Sequence, residues 1–259
     1  MRRRALLWMV AACSAAAQAA PAPADPFEGD PFQSHQWPEL KKEFLGAKAR
    51  VVFDDRVKVQ GPPFAEDPMN VPVTVNAALP GVQRIVVLVD RNPIRKVLEL
   101  QPLSAQPTVG FRFKLEQASP VRAAAQTADG VWHVGGALVD SAGGGCTVPG
   151  ASRADGSWSR TLNQVQARVF RNVLDGGTRL RLRIMHPMDT GLVGGIPAFH
   201  IEQLELRDAQ DRPSWRLHLH EPVSENPLLT LELGDGAQGP WQLVGRDNNG
   251  NRIDERFKA

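Results

Sequence analysis

Apolar and polar positions along this chain alternate more often than they recur at helical spacing. In Phe111-Arg-Phe-Lys-Leu115 every second residue is apolar, the period of a strand with one face buried. Comparable runs, each bounded by Gly, Pro, Asn or Asp, predict strands at Val51–Phe53, Val57–Gln60, Val71–Ala77, Val82–Asp90, Lys96–Leu100, Val109–Leu115, Val121–Thr127 and Val131–Val139. A second set follows at Thr178–Met185, Ile196–Arg207, Trp215–His220, Leu228–Leu233, Trp241–Arg246 and Arg252–Phe257, while Leu162–Val173 reads as a strand or a short helix. Asn248-Asn-Gly250 predicts a hairpin turn between the last two. Only Asp30–Gly46 carries a helical period, through Trp37, Leu40, Phe44 and Leu45, with Ser34 as N-cap and Gly46 as stop.

The two sets echo each other. Val71-Pro-Val-Thr-Val75 is similar to Ile196-Pro-Ala-Phe-His200, and Asn92-Pro-Ile-Arg-Lys-Val-Leu-Glu-Leu100 to Asn226-Pro-Leu-Leu-Thr-Leu-Glu-Leu233. The pattern therefore predicts an all-β chain with a short N-terminal helix and two similar antiparallel sandwiches of about 100 residues each, at 35–140 and 162–259. A glycine-rich linker at 141–161 joins them and adds little to either core.

Composition narrows the function classes. Apolar residues make up 42% and charged residues 22%, which excludes a disordered chain. Lys and Arg number 30 against 28 Asp and Glu, but Arg2, Arg3 and Arg4 belong to a leader. Without them the balance is 27 − 28 = −1, so no basic field for nucleic acid remains. Aromatics are 6% with no Tyr, a poor basis for base stacking. Residues 1–19 read as an export signal: a tri-arginine start, the apolar core Ala5–Ala12, and Ala17-Gln-Ala19 before the cut. Val10-Ala-Ala-Cys13 also fits a lipobox, so membrane anchoring is expected only if Cys13 is lipidated. Either way the mature chain is expected outside the cytoplasm, in the periplasm. Residues 20–34, with four prolines, read as an extended tether.

Past the leader one cysteine is left. Cys146 has no internal partner in an oxidising compartment. Around it, Gly143, Gly144, Gly145 and Gly150 supply no side chains and permit most backbone conformations. The thiol is thus expected on an exposed, mobile arm, and such a thiol oxidises unless it has a use. Arg153 and Arg160 are candidates to lower its pKa, against a plain reading as solvated linker charges. No catalytic residue set, cofactor site or metal site is expected. His186, Met188, His200, His218 and His220 raise the alternative of a copper-binding or chaperone protein, but they form no compact cluster in sequence. There is no Gly-x-Ser-x-Gly, and pairing Cys146 with His133 or His186 would need a rigid arm. A non-catalytic accessory sandwich protein is the other alternative.

Several segments, in order, carry a resemblance. Val71-Pro-Val-Thr-Val75, Asn92-Pro93, Phe111-Arg-Phe113, Asp129-Gly130 and Gly144-Gly-Cys146 resemble SoxY. His186-Pro-Met-Asp-Thr-Gly191, Ile196-Pro-Ala-Phe-His200, Ser224-Glu-Asn-Pro227 and Asp247-Asn-Asn-Gly250 resemble SoxZ. The whole is similar to fused SoxYZ-like carriers named for association with quinoprotein dehydrogenases. The resemblance implies two immunoglobulin-like sandwiches and a carrier, not an enzyme. Its cargo is a sulfur-containing small molecule, thiosulfate-derived in SoxY, held covalently on Cys146. Its partners are sulfur-oxidising or quinoprotein and cytochrome-type periplasmic enzymes. In SoxY the cysteine sits near the chain end between glycine pairs. Here Thr147-Val-Pro149 follows it and a second domain ties the arm at both ends.

Overall fold

The computed structural model describes residues 25–171, 177–234 and 236–258. The expected leader at 1–19, with Cys13, and residues 20–24 of the expected tether lie outside the described residues.

Helix α1 (Trp37–Leu40) runs on into a π-helical turn at Lys41–Leu45. The first half then contributes β1 (Val51–Phe53), β2 (Val57–Gln60), β3 (Phe64–Ala65), β4 (Val71–Ala77), β5 (Val82–Val89), β6 (Lys96–Gln101), β7 (Thr108–Phe113), β8 (Ser119–Thr127) and β9 (Trp132–Ser141). Two short helices follow, α2 (Ala151–Asp155) and α3 (Trp158–Thr161), within the segment expected to be linker. The second half contributes β10 (Val165–Arg171), β11 (Thr178–Ile184), β12 (Ile201–Arg207), β13 (Pro213–Leu219), β14 (Leu228–Leu233), β15 (Trp241–Asp247) and β16 (Arg252–Phe257). The chain is all-β, in two sandwich-forming layers, as the alternation predicts.

The pattern could not show that the two halves share their sheets. One sheet runs β1-β9-β8-β5-β6-β13-β12-β15-β16, with β3 beside β9; the other runs β10-β11-β14-β7-β4-β2. At the seam Leu98–Gln101 of β6 pairs with Arg216–Leu219 of β13, and Val109 and Gly110 of β7 pair with Leu231 and Thr230 of β14. A single apolar core consequently crosses the seam, from Val75, Leu100 and Phe113 to Leu180, Leu204 and Leu231.

Ile85–Val89 and Val121–Ala125 are apolar or small at nearly every position because these strands are buried on both faces. Their outer face, with Val86, Leu88 and Ala124, lies under Trp37, Leu40 and Leu45 of the N-terminal helix. Gln36 occupies the N-cap and makes no side-chain bond there; Ser34 lies buried one turn earlier.

The exception to apolar content in β8 is Arg122, which is fully buried. Its guanidinium binds both oxygens of Asp90 at 2.7 and 2.8 Å and both oxygens of Asp30 at 2.6 and 2.8 Å. The ring of Trp37 lies over it at 4.6 Å. Asp30 also accepts the Ser34 N–H at 2.8 Å. Residues 25–34 are therefore not an extended tether: they fold into turns that bring Asp30 to Arg122, because a buried guanidinium needs its carboxylates.

Two further expectations need correction. Strand β12 begins at Ile201, not Ile196, since residues 196–200 form a loop whose Phe199 pairs with Asp189. The Asn-Pro echo is not a structural repeat, for Asn92-Pro93 leads into β6 of one sheet and Asn226-Pro227 into β14 of the other.

Replacing Arg122 by Met leaves two buried carboxylates unpaired and is expected to cost about 3–5 kcal/mol in urea unfolding. Burial raises the Asp30 carboxyl, but the Arg122 bonds and charge and the backbone N–H groups outweigh it, so it titrates below its ordinary value. Its stabilisation is thus full above the ordinary carboxylate range and is lost as pH falls through the lower folded value. Asp30→Asn should flatten that acid limb in unfolding measured against pH.

Candidate functional site

Cys146 lies in the segment between β9 and α2, at the seam of the two halves. It is fully buried. The expected exposed, mobile arm is instead a docked one, because its backbone runs along the chain that follows β7. Gly144 N–H donates to the Glu116 carbonyl and Gly145 N–H to the Leu115 carbonyl, each at 3.2 Å. The Cys146 N–H donates to Glu116 Oε2 at 2.9 Å, and its Sγ–H to the Lys114 carbonyl at 3.5 Å. From the second half, Thr190 Oγ1 donates to the Cys146 carbonyl at 2.7 Å.

The four glycines serve that docking. Gly143 and Gly144 turn the chain with φ of 94° and 84°. At Gly145 a Cβ would stand 2.2 Å from the Pro68 carbonyl oxygen and 2.6 Å from that of Leu115. At Gly150 it would stand 2.1 Å from Glu225 Oε2. A glycine-rich run signals freedom in sequence, but here it permits close backbone approach.

Sequence reasoning missed the residues that form the dock. Lys114 follows Arg112 with strand alternation and should face solvent, yet β7 ends at Phe113 and Lys114 is buried under the arm. Its Nζ donates to the Met188 carbonyl. Asn92 holds the same loop, giving Nδ2–H to the Lys114 carbonyl at 2.8 Å and accepting the Glu116 N–H at 2.9 Å. Asn226 holds the opposite loop by accepting the His186 N–H at 3.1 Å. The two Asn-Pro motifs were the available signal, since Asn92 and Asn226 hold the two loops between which the arm docks.

His186-Pro-Met-Asp-Thr-Gly191 is the loop that closes over the arm. Asp189, nearly buried, accepts Arg153 Nε–H at 2.9 Å. The Arg153 guanidinium lies 4.2 Å from the centre of the Trp158 ring. Arg153 is thus neither a solvated charge nor the cation facing the thiol. It fastens α2 to this loop, while Arg160 stays exposed.

Burial pushes the Cys146 thiol up to about 12, with the Glu116 charge adding to the rise and Lys114 opposing it. Burial also lowers Lys114, against the charges of Cys146, Asp189 and Glu225. The docked sulfur is therefore a protonated, weakly nucleophilic thiol.

The histidines do not converge. His186 Nδ1 accepts the Met188 N–H at 3.1 Å, and its Nε2 stands 3.6 Å from Asp247 Oδ2. His133 binds Asp54 at 2.8 Å, far along β9 from the cysteine. Met188 Sδ accepts the Ile201 N–H at 3.4 Å. Burial takes His220 down to about 4. Among the described residues no three His, Cys, Asp or Glu side chains stand close enough to hold a metal ion.

Fold and site define a double β-sandwich with one thiol on an internal arm, docked where its halves meet. Comparison with known proteins agrees half by half. Residues 41–146 match the family model for sulfur oxidation protein SoxY, and residues 169–258 match that for sulphur oxidation protein SoxZ. The chain belongs to these families as a fused SoxYZ-like carrier of sulfur oxidation. Among solved structures it is similar to the sulfur carrier protein SoxY from Chlorobium limicola f thiosulfatophilum, at 20% identity over 40% of this chain and 90% of that one, with a TM-score of 0.37. No curated protein sequence matches the chain.

Two measurements check the dock. Maleimide labelling of the native protein should be slow and should rise about tenfold per pH unit without levelling near 8.5, where a free thiol levels. Gly145→Ala places a Cβ against two backbone oxygens and should release the arm with both sheets intact. At pH 8 its labelling should then be faster than that of the native protein, and it should level near 8.5 as for a free thiol.

Proposed function

We propose that this chain carries a sulfur-containing group covalently on Cys146 and that the arm alternates between the docked position and a released one. The observation that carries this reading is a lone thiol, fully buried, on a glycine arm at the junction of a SoxY half and a SoxZ half. With no exposed surface on Cys146, a group added to Sγ has to displace the arm. Each arm hydrogen bond contributes a net ~0.5–1.5 kcal/mol, and ordering each residue costs ~1–2 kcal/mol of backbone entropy. Release is thus a small step, and it returns the thiol toward its ordinary pKa, where it is nucleophilic.

Partner enzymes of sulfur oxidation, of quinoprotein or cytochrome type, supply the chemistry. Joining the thiol to thiosulfate forms an S–S bond and gives up one proton and two electrons, which such a redox partner accepts. This chain presents and shields; among the described residues Sγ hydrogen-bonds only to the Lys114 carbonyl. A leader at residues 1–19 supports work in the periplasm, with cleavage after Ala19, or lipidation at Cys13 as the alternative.

Intact-mass measurement of protein purified without reductant from its native cells should show an added mass that maps to Cys146. Cys146→Ser should fold, lack the adduct and lose carriage entirely. Unmodified cysteine throughout active turnover, or full activity with serine, would refute covalent carriage.

A further inference from the structure

The outer face of the six-stranded sheet carries positive charge that is mostly unpaired among the described residues. Register places Lys58 of β2, Arg112 of β7, Arg179, Arg181 and Arg183 of β11, and Arg168 of β10 on that one face. All six are exposed. The strands of the face hold one acidic residue, Glu232, which binds Arg179 at 2.6 Å. Among the described residues the other five cations have no ion pair.

The ten-stranded sheet is built differently. Most of its outer cations are matched, Arg207 and Arg216 with Glu205, Arg246 with Glu202, and Lys96 and Arg84 with Glu99; the exposed Arg252 and Arg256 lie on its edge strand β16 without an ion pair among the described residues. A chain that pairs most of its charges on one sheet and leaves most of them open on the other has a directed field, although its net charge without the leader arginines is near zero. Two features make the open face a docking surface. A groove of about 1020 Å³ crosses it from Lys58 to Phe170, over strands of both halves. Phe170 is 46% exposed between these arginines, and exposed aromatics among arginines mark interface anchors.

We propose that this face binds the acidic surface of a partner protein. Six strands at ~4.8 Å spacing, each ~20 Å long, span roughly 24 by 20 Å. That footprint is at the low end for a specific complex and suits a transient, electrostatically steered one. Its position suits the carrier. Arg112 lies two residues before Lys114, whose carbonyl accepts the Cys146 thiol, so a protein seated here lies beside the released arm. The relation to cargo transfer rests on the carrier reading; the acidic-partner surface itself does not.

The test uses the full mature chain and the charge-reversed variant Arg168→Glu/Arg181→Glu/Arg183→Glu, whose sites lie away from the cysteine dock. The probe is a poly-L-glutamate peptide about 20 residues long, followed by NMR shifts and calorimetry. Wild type should bind it with shifts confined to the six-stranded sheet, and the variant should bind at least tenfold more weakly. Affinity should fall with added salt. In native cells, a photo-crosslinker at position 181 should capture a protein through its Asp- and Glu-rich peptides, and that protein, purified, should show the same loss with the variant. Equal binding by the variant, shifts on the other sheet, or equally tight binding of sodium thiosulfate or sulfate would overturn the proposal. Cys146→Ser separates the two readings. It should bind poly-L-glutamate like wild type, so loss of carriage with intact binding bears on the thiol alone.

Discussion

Edge-to-edge pairing of the two halves is the constraint from which the rest follows. Each half alone would end in unpaired strand edges at β6, β7, β13 and β14, with open backbone groups inviting association. Pairing β6 with β13 and β7 with β14 satisfies those groups and merges two apolar cores into one. The chain after β7 then lies against the loops before β12 and β14, and the cysteine dock is built from both sides at once. Lys114 and Glu116 come from the first half, Met188 and Thr190 from the second. Neither half could bury the thiol by itself. The basic face depends on the same pairing, because three of its strands come from each half and meet at β14 and β7.

Much of this was legible in the residues. Val51–Phe53, Val57–Gln60, Val71–Ala77, Leu228–Leu233 and Arg252–Phe257 form strands at the predicted bounds, since turn residues frame each run. Within Leu162–Val173, ambiguous by pattern, Val165–Arg171 is a strand because Val165, Ala167 and Val169 pack on the core while Gln166, Arg168 and Phe170 face out. The helix ahead of the sheets was visible in Trp37 and Leu40. Its reason was not, because the outer face of β5 and β8 needs cover only once their two-sided burial is known.

The site was legible as chemistry and not as geometry. Cys146 stood out as the sole thiol beyond the expected leader, and the ordered motifs pointed to a carrier. Its burial was hidden because glycines have no pattern that separates a loose chain from one pressed against backbone oxygens. Strand alternation likewise misplaced Lys114, since alternation stops having meaning where β7 ends one residue earlier. The folded path of residues 25–34 was hidden for another reason. Four prolines suggest extension, while the attraction of Asp30 for a buried arginine some ninety residues away leaves no local trace.

The arm's two fixed ends set a leash length. Cys146 lies five residue steps from Ser141, the last of β9, and five from Ala151, the first of α2. At ~3.3–3.6 Å per extended residue, the sulfur can stand at most about 17 Å from either anchor, and only as the tip of a hairpin two chains wide. A free tail can thread a narrow bore; a hairpin cannot. Under the proposed carriage on Cys146, an enzyme that works on the cargo needs a broad, shallow mouth, with the reacting atoms near the surface.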